Sequence, residues 1–168
     1  MTFQQAIITC LRKYFTFSGR ASRSEYWWFF LFCILGGALF GALEGFINGI
    51  TRTPDGPTLL SGAFNLATFI PGLAVGFRRM HDTGRSGLYL FYPLIAVVGL
   101  LTFIGLAGGF DAMQGGDPAM LFEGTFGIII GLALLVVAIS PLIVFWWLTR
   151  PSQPGQNQYG PNPHEVHP

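Results

Sequence analysis

Residues 124–149 read GTFGIIIGLALLVVAISPLIVFWWLT, twenty-six positions without a charged side chain. At 1.5 Å per residue a helix of this length exceeds the roughly 30 Å hydrocarbon core of a bilayer. A buried helix of a soluble protein would keep a polar face, and this run has none. Three more stretches lack charge: Tyr26 to Leu43, Gly56 to Phe77 and Ser86 to Phe110. Composition agrees, because 51% of the 168 residues are hydrophobic and 10% are charged, whereas soluble domains commonly carry about a quarter. The predicted fold class is all-α, a polytopic membrane four-helix bundle in a single membrane domain, residues 1–163, with spans at about 26–50, 57–77, 87–110 and 124–148.

Basic residues set the expected orientation. Arg12, Lys13, Arg20 and Arg23 precede the first span, Arg78, Arg79 and Arg85 separate the second from the third, and Arg150 follows the fourth. The other two loops hold only Arg52, together with Asp111, Asp117 and Glu123. Both termini and the middle loop are therefore expected in the cytoplasm, the chain being multi-pass in the plasma membrane. With the first long apolar run starting at Tyr26 and no A-x-A site after it, the N-terminus is expected to be retained.

Two end segments read as lying outside the hydrocarbon. Phe3, Ala6, Ile7, Cys10, Leu11 and Tyr14 recur at helical spacing, which predicts an interfacial amphipathic helix over about residues 2–17. Residues 149–168, rich in Pro, Gln, Asn and Gly, predict a flexible cytoplasmic tail. Cys10 and Cys33 are read as small apolar fillers.

Membrane helices associate by close packing, so small residues at fixed spacing mark contact faces. Gly37, Gly41, Gly45 and Gly49 share one face of span one, for packing in the bundle or for a dimer. Shorter pairs are Gly72 with Gly76, Gly105 with Gly109 and Gly127 with Gly131. Pro71, Pro93 and Pro141 fall inside spans and are expected to kink them.

The chemistry-bearing residues gather on the expected inner side: Arg20, Arg23, Glu25, Arg78, Arg79, His81, Asp82 and Arg85, beside the four tryptophans Trp27, Trp28, Trp146 and Trp147. Ser22 with Glu25 three residues later predicts a capping box at the start of span one. A carboxylate at the edge of lipid needs a partner, and Glu25 is expected to bond Arg78, Arg79 or Arg85.

Three motifs, F-x-F-x-G-R-x-S-R-x-E-Y-W-W at 15–28, R-R-x-H-D-x-G-R-S-G at 78–87 and N-Q-Y-G-P-N-P at 157–163, occur in this order. Together they resemble the bacterial inner-membrane family catalogued as domain of unknown function 805. Gln158 departs from the basic residue common in that tail motif, and the chain continues beyond Pro163. The resemblance implies a bacterial inner-membrane location and no particular activity.

Function is read as non-catalytic, with a basic-aromatic inner face for structural pairing, for a partner protein or for anionic lipid headgroups. The alternatives are a small oligomeric transporter or channel, set against the lack of a deep ionisable residue, and a membrane enzyme using His81, Asp82 and Glu25. No nucleophile or metal-ligand set accompanies those three, so no cofactor is expected. Membrane lipids, a second copy or another membrane protein are the partners expected, and nucleic acid is not.

Overall fold

The computed structural model describes residues 1–53, 56, 58–106 and 123–165. Its helices are α1 (Phe3–Arg12), α2 (Arg23–Thr51), α3 (Leu59–Asp82), a 3-10 turn (Gly87–Phe91) leading into α4 (Tyr92–Ile104), and α5 (Gly124–Thr149). Among the described residues, four segments, with the 3-10 turn and α4 taken together, are long and apolar enough to cross a membrane. Their apolar side chains stay exposed, among them Leu39, Leu66 and Leu132, as lipid contact requires. The chain is an all-α membrane protein.

The chain divides into two compact units, Met1–Gly87 with Arg150–Pro168 and Leu88–Thr149. In the second, α4 and α5 run antiparallel. Tyr89 meets Trp147 at one end, with ring centroids 5.4 Å apart, and Phe103 stacks on Phe126 at the other, 5.3 Å apart.

In the first unit α2 and α3 are antiparallel and α1 packs on both. The closest approach is at Gly36, where an added Cβ would stand 2.1 Å from the Phe64 ring. That glycine is a neighbour of the predicted series. Within the series, a Cβ on Gly37 would meet Asn65 Oδ1 at 3.4 Å, while Cβ atoms on Gly41, Gly45 and Gly49 would meet nothing within 4 Å. Gly109, like Asp55 and the end of span three at 107–110, lies outside the described residues.

α1 begins with a reciprocal capping box: Gln5 N donates to Thr2 Oγ1 and Thr2 N to Gln5 Oε1. It stops at Arg12, short of the expected residue 17, and buries Ala6 and Cys10. At the other end of the unit, Glu44 near the end of α2 accepts from Leu60 N, Ser61 N and Ser61 Oγ. It thereby supplies the cap that Thr58, the residue before α3, does not provide.

All three prolines fall inside the apolar segments, but in different places. Pro93 occupies the first turn of α4, where a missing N–H costs no helical bond. Pro71 and Pro141 do lie within α3 and α5, leaving the carbonyls four residues earlier, at Ala67 and Val137, without their helical donor. Tyr14 Oη donates to Ala67 O at 2.8 Å, and Ser140 Oγ donates to Val137 O at 3.0 Å. A hydroxyl thus occupies each vacated position.

Candidate functional site

The middle loop is shorter than expected, because α3 runs on through Asp82 instead of ending near Phe77. Arg78, Arg79, His81 and Asp82 therefore stand on its last turns, all buried. Cations are favourable at a helix C-terminus, and the bends that follow use Gly84 at φ +76°.

Asp82, with no exposed surface, organises the first cluster. Its Oδ1 accepts from Arg20 Nε at 3.0 Å, and its Oδ2 accepts from Arg79 Nη1, one turn back on the same helix face, and from Ser152 Oγ. Its carbonyl takes Gln153 N at 2.9 Å. Arg20 uses its remaining donors on Asp82 O (3.4 Å), Gln153 O (2.5 Å), Gly155 O (2.7 Å) and Gly160 O (3.3 Å). Arg79 Nη2 reaches the carbonyl of Arg150. Two guanidinium groups thus face one carboxylate, and backbone carbonyls take the surplus positive charge. Such saturation is what burial of ions demands.

His81 sits beside this cluster. Its Nδ1 is 3.1 Å from Gly19 O, which can only accept, so that nitrogen carries a proton. The ring stacks on Tyr159, with centroids 3.9 Å apart and planes 4° from parallel. Asn157 Nδ2 donates to His81 O at 2.9 Å, and Asn157 also closes its own turn by accepting from Tyr159 N.

Over residues 150–165 the tail is fastened to α3 and to the segment before α2, mostly through backbone groups that composition does not display. Ser152, Gln153, Asn157 and Tyr159 were missing from the sequence-derived set. The signal available was the Asn157–Gly160 spacing, which forms a tight turn.

The second cluster answers the expectation for Glu25. Arg78 Nη1 donates to Glu25 Oε1 at 2.7 Å, with both side chains buried. Because Glu25 turns to Arg78, the predicted capping box is only half made: Ser22 Oγ accepts from Glu25 N at 3.2 Å, and the carboxylate does not return. Cys10 Sγ lies 4.0 Å from Glu25 Oε1. Burial, and next the charge of Glu25, push the Cys10 thiol up to about 12.

Arg23 is exposed and Arg85 half-buried. Arg85 donates to Thr83 O at 3.1 Å. No group of His, Cys, Asp and Glu suited to a metal ion occurs among the described residues.

Residues 14–161 match the family model described as "Protein of unknown function (DUF805)". Inner membrane protein YhaI of Escherichia coli K12 is 39% identical over 118 residues, covering 68% of this chain and 95% of that protein. Inner membrane protein YhaH of the same strain is 36% identical over 94 residues, covering 56% of this chain and 76% of that protein. No solved structure matches. The first two motifs and residues 157–161 of the third fall within the matched region, and the chain belongs to the DUF805 family of membrane proteins.

Proposed function

We propose that this is a non-catalytic, multi-pass protein of the bacterial inner membrane, with both termini cytoplasmic and an inner face that binds anionic phospholipid. The carrying observation is a division of labour among its cations. Arg20, Arg78 and Arg79 are buried and engaged with Asp82, Glu25 and carbonyls, Arg78 keeping its Nη2 without a hydrogen bond, whereas Arg12, Lys13 and Arg23 stand exposed at the end of α1 and the start of α2. Of the acids at that end, Glu25 and Asp82 are buried and the exposed Glu165 accepts from Gly155 N, while the exposed charge within residues 12–23 is basic. Juxtamembrane cations of this kind attract anionic leaflets by about 1 kcal/mol each.

The acid-base candidates support the non-catalytic reading, since Glu25, His81 and Asp82 are all engaged in holding segments together. Against a transporter stands Glu44, a buried acid within a span, whose oxygens cap α3.

The test is the lipid retained by the protein after extraction in mild detergent, compared with the bulk membrane. Enrichment in phosphatidylglycerol and cardiolipin is expected, reduced severalfold in an Arg12→Gln, Lys13→Gln, Arg23→Gln triple variant. Retained lipid of bulk composition would remove the reading.

A further inference from the structure

Asn65 stands six residues beyond Leu59, the first residue of α3, and so about 9 Å into that apolar helix. Around it Leu66 and Phe69 are exposed, as lipid-facing side chains are. Asn65 is exposed as well, and its side-chain amide makes no hydrogen bond to any described residue. The nearby Thr68 differs, because its hydroxyl is buried and donates to Phe64 O at 2.8 Å. We propose that the Asn65 amide is the polar centre of a homodimer interface, where it pairs with Asn65 of a second copy across a two-fold axis.

The argument for a partner is chemical. Hydrocarbon offers neither donors nor acceptors, so an amide at this depth is costly until another polar group meets it. The argument for a second copy as that partner is geometric. Copies inserted by the same bias of basic residues share one orientation, so a two-fold axis relating them runs along the membrane normal. Each residue near that axis then meets its own counterpart at its own depth. A carboxamide is self-complementary, since it carries N–H donors and a carbonyl acceptor. Two copies of Asn65 exchange hydrogen bonds in both directions, and neither needs a group that the chain lacks.

The face around Asn65 has room for such an approach. α2 and α3 are antiparallel and closest where Gly36 meets the Phe64 ring. One residue further along each helix, Gly37 and Asn65 turn to the same side of the pair, and a Cβ on Gly37 would stand 3.4 Å from Asn65 Oδ1. One turn from Gly37 lies Gly41, and one turn from Asn65 lies Gly62; a Cβ on either would meet nothing within 4 Å. The bare backbone at these two positions lets a neighbouring helix come close enough for a short amide to reach its counterpart. The glycines give only space; the unpaired amide gives that space an occupant. This interface is independent of the anionic-lipid reading, which rests on residues at the other end of the helices.

The full chain in mild detergent is followed by sedimentation equilibrium over a series of protein-to-detergent ratios. Wild type is expected to show a monomer–dimer equilibrium. Asn65→Leu is expected to raise the dimer Kd at least about threefold, while Asn65→Gln, which keeps the amide, stays closer to wild type. Gly41→Leu, which adds bulk where the chain itself meets nothing, is expected to weaken the dimer at least as much. Leu39→Ala, on the opposite side of α2, is expected to stay within about twofold. Thermal midpoints at ratios where the monomer dominates are expected to match wild type for both Asn65→Leu and Gly41→Leu. A wild type that is monomeric at every ratio overturns the proposal, and so does a dimer that either variant leaves intact. A glutamine no better than leucine, or an equal loss in Leu39→Ala, overturns it too. A lowered monomer midpoint in Asn65→Leu would show that the amide serves the chain's own fold, which also overturns it.

Discussion

Asp82 is outnumbered by its arginines, so its charge matters more than its volume. Asp82→Asn keeps the shape but leaves Arg20 and Arg79 facing each other without a counter-ion, a loss expected to cost about 3–5 kcal/mol. A lowered thermal midpoint in detergent, with faster proteolysis of residues 150–165, is the measurement that checks it. Glu25→Ala strands Arg78 in the same way and is expected to fall in the same range, whereas Arg12→Ala, on the exposed end of α1, is expected to shift the midpoint little. Cys10 offers an independent reading of that pocket. Its thiol, held protonated by burial beside Glu25, is expected to resist maleimide at pH 8 in the folded protein and to react fully in SDS; rapid native labelling would contradict the burial of α1. That Glu25 needs an arginine was legible in the sequence, because a carboxylate at the lipid edge must be paired. Which arginine was not, since the choice depends on how far α3 runs and which face it turns.

Charge-free runs located the spans because the bilayer imposes a length and a polarity on any helix that crosses it. Helix ends are set by local bonding instead, and there the reading slipped. α3 passes Phe77 because Arg78, Arg79 and Asp82 find partners that let them be buried, and a rule that stops helices at charges cannot know this. The prolines teach the same lesson: Pro93 starts a helix, while Pro71 persists within one because Tyr14, far away in sequence, serves the carbonyl it orphans. This pairing makes a quantitative prediction. Tyr14→Phe is expected to cost about 1 kcal/mol in the wild-type chain. In a Pro71→Ala background the new N–H can bond Ala67 O, so the same change is expected to cost much less. A double-mutant cycle in detergent stability measures the coupling, and additive effects would show that Tyr14 does not compensate for the proline.

Three segments separated by up to 140 residues meet at Arg20, Asp82 and residues 152–160, and a bilayer turns that meeting into a statement about topology. Arg20 and Asp82 are separated by two apolar helices, and Asp82 and Gln153 by the remaining two apolar segments. Contact among all three is possible only if the chain crosses an even number of times in each interval. One common side is therefore expected for all three from these hydrogen bonds, independently of any count of basic residues. The count adds the expectation that this side is the cytoplasm. Single cysteines at Ser18 and Gln158, both exposed, are introduced into a chain whose Cys10 and Cys33 are replaced, with Asp117→Cys as the expected outward position. Ser18→Cys and Gln158→Cys are expected to react with an impermeant maleimide only after permeabilisation, and Asp117→Cys on intact cells. If Ser18→Cys and Gln158→Cys label from opposite sides, the buried cluster cannot form as described. If they agree with each other but label from outside, the cluster stands and only the cytoplasmic orientation falls, and with it the expectation that the exposed arginines face the inner leaflet.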